Sequence, residues 1–331
     1  TAPARAEDDE YVLGWEQRAA QHFAEAFCTW DEYFGKILDL ARYSHVPIGN
    51  LTSGDLPTYL IDVLFGRLLK SNNMALWASA GRLPDLGGHE LLDFHGIDAP
   101  NPELVHPGAY RSVCVTINIA ALVVSAIKNA RHLDDMPLLA AAGSASSEAE
   151  IMAALNRASG ANPRTDALVD ETTAAAEPFK VLQWLVDRWV EGIHGHGDHI
   201  ADYLQQHLGR WLSEPNSLFR ASLLQRYVAR LVKKLFAALL SRITALGSTI
   251  IYASLCQIIV CTNKLSLPSA RAYTRYLLDT IKAEPLLHLV HLSPEQYFTS
   301  LVFLDRHNFI GLVPVDSAEG DNERDVAMDD A

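Results

Sequence analysis

The sequence predicts an α+β fold in which helices pack against a mixed sheet. Apolar residues make up 49% of the 331 positions, which is enough to build a sizeable core in one large domain or two closely packed lobes. Long segments carry apolar residues at three- and four-residue steps, the period of an amphipathic helix. Shorter β-branched segments lie between them and indicate strands.

Four segments have the helical period. The first covers residues 11–46 and ends before Pro47, a second begins at Pro178, a third covers about 223–246, and a fourth starts at Pro268. In the third helix, apolar residues at regular steps are expected to face the core and basic residues to face away. The tryptophans at helical spacings are expected in the core or at a lobe interface: Trp15, Trp30, Trp184, Trp189 and Trp211.

The strand signals lie in three places. Residues 112–127 begin with β-branched residues and are predicted to form a strand that leads into a helix. The uncharged window 243–263 is long enough for a membrane span, but polar and glycine residues interrupt it. We therefore interpret it as a helix end, a turn and buried strands over 248–262. Residues 286–304 are predicted to return to strand and helix.

Charge and cysteine usage limit the class of protein. The formal net charge of −13 is concentrated at the ends, because residues 1–10 carry four acids against one base and residues 316–331 carry seven acids against one base. The body can therefore still have one basic face. The four cysteines lack the close spacing of a zinc ribbon, which favours reduced thiols. No secretory signal or membrane anchor is predicted.

A basic segment gives one candidate binding surface. Residues 220–242 contain six lysines and arginines and no acid. Lysine and arginine bind nucleic acid by displacing counterions from phosphates, but such a stripe is also typical of a solvated helix face. Both interpretations stay open. The candidate nucleic-acid contacts are Arg226, Arg230, Lys233 and Lys234.

A histidine cluster gives a second candidate site. Residues 194–199 read His-Gly-His-Gly-Asp-His, which matches the HxHxDH pattern of zinc-dependent hydrolases of the metallo-β-lactamase fold. Those enzymes place the pattern after a strand, whereas here it follows a predicted helix. We therefore expect a polar turn between two helices without a metal, and we keep a zinc hydrolase as the alternative function.

Two segments resemble the catalytic motifs of family-B DNA polymerases. Residues 108–118 are similar to the GxYxxVxVxD approach to motif A, and residues 121–127 stand where active enzymes have SLYPSII. Residues 250–257 resemble the VIYGDTDS hairpin of motif C. Within this family the chain most resembles the non-catalytic C-terminal half of epsilon-type large subunits. The segments that carry this likeness are 45–50, 84–88, 247–253 and 258–262.

The resemblance implies a degenerate palm without catalytic carboxylates. Nucleotidyl transfer needs two divalent cations held by hard carboxylate oxygens. The motif A aspartate position is Asn118, and the two motif C positions are Ser254 and Cys256. A finger motif of the KxxxNSxYG type does not occur between residues 128 and 222. We therefore predict that this segment is not an enzyme by itself, although the parent subunit is a DNA-directed DNA polymerase.

The resemblance also implies partners, cofactors and boundaries. It implies a nuclear scaffolding module of chromosomal DNA replication that contacts the N-terminal catalytic half of the same subunit, the accessory subunits and the replicative helicase complex. The segment itself is expected to bind no cofactor, while an iron–sulfur cluster and zinc are expected elsewhere in the parent protein. The predicted units are an acidic linker (1–10), a helical and mixed segment (11–106), the first palm part (107–137), an insertion with fingers-like helices (138–222), the second palm part (223–315) and an acidic disordered tail (316–331).

Overall fold

The computed structural model describes residues 14–51, 55–74, 102–135 and 167–314. The predicted acidic linker, the acidic tail and the segment 84–88 lie outside these ranges. The helices are α1 (Gly14–Cys28), α2 (Trp30–Ser44), a 3₁₀ turn (Ile48–Asn50), α3 (Leu56–Ser71), α4 (Leu122–Lys128), α5 (Ala130–Asp135), α6 (Ala167–His196), α7 (His199–Ser213), α8 (Ser222–Ala245) and α9 (Leu267–Lys282). The strands are β1 (Leu104–Val105), β2 (Gly108–Tyr110), β3 (Cys114–Ala120), β4 (Thr249–Ala253), β5 (Gln257–Cys261), β6 (His291–Phe298), β7 (Ser300–Phe303) and β8 (Phe309–Leu312).

Two antiparallel sheets form the β part of the described chain. The larger one has the strand order β1-β4-β5-β3-β6, and the smaller one has the order β2-β7-β8. The prediction of a mixed sheet is wrong, because every strand pair in the described ranges is antiparallel. After β3 the chain leaves the sheet for helices α4 to α8 and returns as β4, which pairs with β1. The β4–β5 hairpin then places β5 between β4 and β3.

The larger sheet is covered on both faces, which makes three layers. Val115, Ile117 and Ile119 on β3 belong to the main core shared with the helices. Cys114 on the opposite face joins a smaller core under the β2-β7-β8 sheet. This alternation is the two-residue period of a strand, so each face of β3 has its own apolar partner. The edge strand β6 contains Pro294, which is compatible with an edge because proline lacks an N–H donor.

Helix α8 is the centre of the helical layer and confirms the predicted apolar stripe. The six apolar residues expected to face the core are all buried: Leu224, Val228, Leu231, Leu235, Leu239 and Ile243. The helix packs against α4, α6 and β4. Burying a leucine or valine side chain contributes about 1.5–3 kcal/mol, so this stripe supplies much of the stability of the helical layer.

Several predicted boundaries need correction. Pro178 lies inside α6, which begins at Ala167, although a proline was expected to start the helix. The predicted insertion with fingers-like helices (138–222) contains α6 and α7, and its part up to residue 166 lies outside the described ranges. Residues 286–304 contain β6 and β7 but no helix. The window 243–263 is the end of α8 followed by the β4–β5 hairpin, as predicted.

The tryptophan prediction is correct for only part of the set. Trp189 and Trp211 are buried in the core, whereas Trp15, Trp30 and Trp184 are exposed. Within the described ranges, no helix combines the length and the apolarity that a membrane span requires.

Candidate functional site

The two polymerase-like segments are neighbours in one sheet, as their resemblance to motifs A and C requires. β3 pairs with β5, and Asn118 lies opposite Gln257, the first residue of β5. The Ile119 N–H donates to the Cys256 carbonyl at 2.8 Å, which ties the β4–β5 turn to the end of β3. The fold therefore brings Asn118 next to the turn that contains Ser254 and Cys256.

Local hydrogen bonds explain the conformation of this turn. The Ser254 N–H donates to the Gln257 carbonyl at 2.8 Å. The Ser254 hydroxyl donates to the same carbonyl and accepts from the Gln257 N–H, both at 3.1 Å. A neutral hydroxyl suits this position because it can donate and accept at once, whereas an ionised carboxylate can only accept.

Within the described ranges, the three neutral positions are not part of a cluster of metal-ligating side chains. Among the described residues, no group of three histidine, cysteine, aspartate or glutamate side chains is close enough to bind an ion. Glu295 on β6 is the carboxylate that reaches this corner, where its Oε2 accepts from the Gln257 Nε2 at 3.5 Å. One carboxylate beside neutral groups cannot supply the charge that two divalent cations require.

A cleft of about 760 Å³ lies beside the turn. Its walls come from the end of β3, the β4–β5 turn, and helices α4, α7 and α8. Cys256 lines it, but Asn118 projects from the opposite face of β3 to the lining residue Ile119. The polar lining includes Gln205, Gln206, Arg210, Ser213, Gln225, Arg226 and Lys233. Among the described residues, no aspartate or glutamate lines the cleft.

The predicted basic residues divide into two pairs. Arg230 lies 3.8 Å from the Asp134 carboxylate and stacks on the Tyr227 ring at 5.1 Å. Lys234 Nζ donates to the Leu133 carbonyl at 2.6 Å. These two side chains therefore hold α5 against α8. All four predicted residues are half-buried.

The second pair, Arg226 and Lys233, lines the cleft. Burial lowers the pKa of Lys233 below its usual value, because the apolar surroundings disfavour the charged form. Burial also lowers the pKa of Lys234, with Asp134 acting in the opposite direction. The cleft thus has two cationic side chains on α8 above apolar walls.

The histidine cluster is the junction between α6 and α7, as expected. The Asp198 Oδ1 accepts from the backbone N–H groups of Ile200 at 3.0 Å and Ala201 at 3.2 Å, so this carboxylate caps α7. His194 Nδ1 lies 2.8 Å from the Val190 carbonyl of the preceding turn. His196 and His199 are exposed. The pattern of residue types is explained by helix ends, and the hydrolase alternative is not favoured.

Sequence reasoning missed the glutamines of the cleft. Gln205 and Gln225 lie on different helices and face the same cleft, and each has a buried side-chain oxygen without a hydrogen-bond partner. Their shared location depends on how α7 packs against α8. Neither residue stands in a motif, so no local signal in the sequence identifies them.

Comparison with known proteins shows which protein family this chain belongs to. Residues 1–312 match the family described as "Domain of unknown function (DUF1744)", and the chain belongs to this family.

The relatives of the chain are catalytic subunits of one polymerase. It is 32% identical over 322 residues to the DNA polymerase epsilon catalytic subunit of Schizosaccharomyces pombe, covering 96% of this chain and 14% of that protein. Identity to one of the Arabidopsis thaliana catalytic subunits is 30%, over 94% of this chain and 14% of that protein. Identity to the Saccharomyces cerevisiae catalytic subunit is 27%, over 96% and 14% respectively. The chain thus spans about one-seventh of the length of these relatives.

Proposed function

We propose that this chain is a non-catalytic structural module within the large subunit of an epsilon-type DNA polymerase and acts in chromosomal DNA replication in the nucleus. One observation carries the proposal: the sheet brings Asn118 to the turn of Ser254 and Cys256, and none of the three is a carboxylate. The names of the relatives support the polymerase context. The palm-like character of the sheet belongs to the same proposal.

The module has a scaffolding role in this proposal. It links the N-terminal catalytic half of the subunit to the accessory subunits and to the replicative helicase complex. The buried apolar core and the two sheets provide a folded support for such contacts. The iron–sulfur cluster and the zinc of the parent enzyme belong to other parts of that polypeptide.

Primer extension tests the absence of catalysis. The chain alone and the full-length subunit, in separate reactions, are incubated with a primed template, labelled nucleotides and Mg²⁺ or Mn²⁺. We expect the full-length subunit to extend the primer, whereas the chain alone should give no template-dependent product. Extension by the chain alone would contradict the proposal.

A deletion tests the scaffolding role. Removing the region that corresponds to residues 1–312 from the full-length subunit is expected to leave primer extension by the catalytic half largely intact. Recovery of the other subunits and of the helicase complex in a pull-down should fall at least tenfold. If the deleted subunit recovers both partners as well as the intact one, the module is not their scaffold.

DNA binding by Arg226, Arg230, Lys233 and Lys234 stays a prediction. Arg226 and Lys233 are the better candidates, because both line the cleft. The measurement is the salt dependence of binding to a labelled single strand. Two lost phosphate contacts in the R226A/K233A variant would reduce the slope of log K against log salt by about 1.4. Equal slopes for both proteins would exclude these contacts.

Zinc content separates the proposal from the hydrolase alternative. Because Asp198 caps a helix and the histidines lie at helix ends, we expect less than about 0.1 zinc ion per chain by elemental analysis. One or two zinc ions per chain, lost in the His196→Ala variant, would support the hydrolase instead.

A further inference from the structure

Helices α1 and α2 form one continuous amphipathic rod. Only Thr29 lies between them, and the helical hydrogen bonds continue across it. The Thr29 N–H donates to the Glu25 carbonyl at 3.0 Å, and the Tyr33 N–H donates to the Thr29 carbonyl at 3.1 Å. The two helices of 15 residues each therefore extend for roughly 45 Å as a single element.

One stripe of residues runs along this rod with alternating four- and three-residue steps. This spacing keeps side chains on one face of a helix and is typical of a helix that packs lengthwise against another helix. The stripe consists of Phe23, Phe27, Trp30, Phe34, Ile37, Ala41 and Ser44.

The burial of this stripe changes steadily along the rod. Ser44 is fully buried and Ala41 is 9% exposed, whereas Trp30 is 54% exposed and Phe27 is 72% exposed. The buried end packs against α3 and α7. It is also fixed by Arg67 of α3, which donates to the Ser44 carbonyl at the end of α2. The same seam is thus filled at one end and uncovered at the other.

The uncovered end is unusual for a helix in water. Every side chain of α1 that the structure describes is exposed. An isolated helix of this length is only marginally stable, and most helices in proteins are stabilised by packing of an apolar face. The aromatic side chains at the uncovered end also stack on each other along the rod, Phe23 on Phe27 and Trp30 on Phe34. Among the described residues, the rod therefore presents an ordered aromatic surface without a packing partner.

We infer that the exposed aromatic stripe Phe23–Phe34 is the docking surface for an apolar helical segment of the same polypeptide that lies outside residues 1–331. The inference rests on the proposed function, because the occupant belongs to the larger polymerase subunit. Two observations select this occupant. The stripe is continuous with an intramolecular seam made by helices α3 and α7, and the chain spans only 14% of its relatives, so most of each relative lies outside it.

The size of the surface fits such a contact. Four aromatic side chains that are 40–73% exposed offer roughly 400–600 Å² to a partner. With the matching surface of the occupant, the buried area reaches about 1,000 Å², which is enough for a specific contact. Covalent attachment raises the effective concentration of the occupant further.

Photo-cross-linking in the full-length subunit tests this inference. A benzophenone amino acid replaces Phe27 in one sample and Tyr276, which is 59% exposed on α9, in a matched control. Cross-linked peptides are identified by mass spectrometry in an equal mixture of ¹⁴N- and ¹⁵N-labelled protein. We expect the Phe27 probe to give cross-links within one molecule to sequence outside residues 1–331, at least fivefold more than the Tyr276 probe.

Three results would overturn the inference. They are cross-links to other residues of this chain, mixed-isotope cross-links that show a second copy, and equal yields at the two positions. A second measurement avoids dependence on the probe: hydrogen exchange over residues 14–34 of the full-length subunit should accelerate at least tenfold in the F27A/W30A variant and not in Y276A. The proposed function is tested separately, by primer extension and by recovery of partners. A failure of this inference in the cross-linking and hydrogen-exchange experiments can therefore be distinguished from a failure of the proposed function.

Discussion

Replacement of Asp62 by alanine is expected to destabilise the part of the protein that carries α7. Asp62 on α3 is buried and accepts three hydrogen bonds: from Trp211 Nε1 at 2.8 Å, from the Ser217 hydroxyl at 2.8 Å and from the Leu218 N–H at 3.0 Å. Trp211 and Ser217 are themselves buried. The carboxylate therefore connects α3 to the end of α7 and to the segment before α8.

The magnitude follows from the donors that lose their acceptor. Each buried donor left without a partner costs about 1–3 kcal/mol, and removal of the carboxylate leaves three donors without their acceptor. Because water can enter the vacated space, we expect Asp62→Ala to lower the free energy of unfolding by about 3–5 kcal/mol. Asp62→Asn keeps one acceptor oxygen and should cost about 1–3 kcal/mol.

Urea denaturation followed by tryptophan fluorescence measures this effect. Asp39→Ala is the matched control, because Asp39 is exposed and lies 3.9 Å from Arg42 in a surface pair. A pair of this kind contributes about 0–1 kcal/mol, so the control should unfold almost like the wild type. If Asp62→Ala also stays within about 1 kcal/mol of the wild type, the three hydrogen bonds do not stabilise the fold as argued here.

Three further predictions concern a helix cap, a glycine and a tyrosine. Asp198→Ala removes the acceptor for two N–H groups at the start of α7 and should cost about 1 kcal/mol in urea denaturation, whereas an unchanged midpoint would contradict the cap. Gly311→Ala places a methyl group 2.3 Å from the Phe298 ring, so the same assay should show a loss of about 1–3 kcal/mol; an unchanged stability would mean that the ring moves freely. Burial, and to a smaller extent a hydrogen bond to the Asp134 carboxylate, raises the pKa of Tyr227 above 10.0. The contribution of this tyrosine to the free energy of unfolding is therefore present below pH 10 and lost at higher pH. The difference in unfolding free energy between the wild type and Tyr227→Phe should therefore shrink above pH 10, and a constant difference would refute this cause.

Regular elements with strong periodicity could be predicted from the sequence. The apolar stripe of α8 and the strand β3 have the boundaries expected to within a few residues, because a helix or strand that packs on a core must repeat its apolar residues at the period of its backbone. The neighbouring positions of Asn118 and the β4–β5 turn followed from the resemblance to polymerase motifs and not from periodicity. Local residues alone could not specify a contact between strands more than 130 positions apart.

The errors have particular physical causes. Pro178 was expected to start a helix, but α6 continues through it at the loss of one backbone hydrogen bond. Trp15 and Trp30 stand at the same helical spacings as aromatic residues that are buried. Periodicity shows which face of a helix is apolar, but it does not show whether a partner covers that face. The cleft could not be predicted, since its lining combines Gln205, Gln225 and the β4–β5 turn from three separate elements.

The variant N118D/S254D/C256D separates loss of charge from loss of geometry. Asn118 lies opposite Gln257, whose backbone is bonded to Ser254, so three new carboxylates would share one corner of the sheet with Glu295. Like charges that share one corner repel each other by up to about 3 kcal/mol per pair at an effective dielectric constant of about 20. We therefore expect the variant to unfold at a lower urea concentration than the wild type, and Mg²⁺ to restore part of the difference.

Primer extension by this variant should nevertheless remain absent. Asn118 projects from the sheet face opposite Ile119, whereas the basic side chains Arg226 and Lys233 line the cleft on the side of Ile119. A carboxylate at position 118 would therefore lie on the other face of the sheet from position 256 and from these cations, both of which line the cleft. The three carboxylates and the cations would not converge on one triphosphate, and alignment of reacting groups is worth about 7–11 kcal/mol where it exists. If Mg²⁺ restores stability but the primer is not extended, the new carboxylates bind the metal while the reacting groups are not aligned. Template-dependent extension by the variant would contradict this reasoning, because it would mean that the corner still positions both substrates.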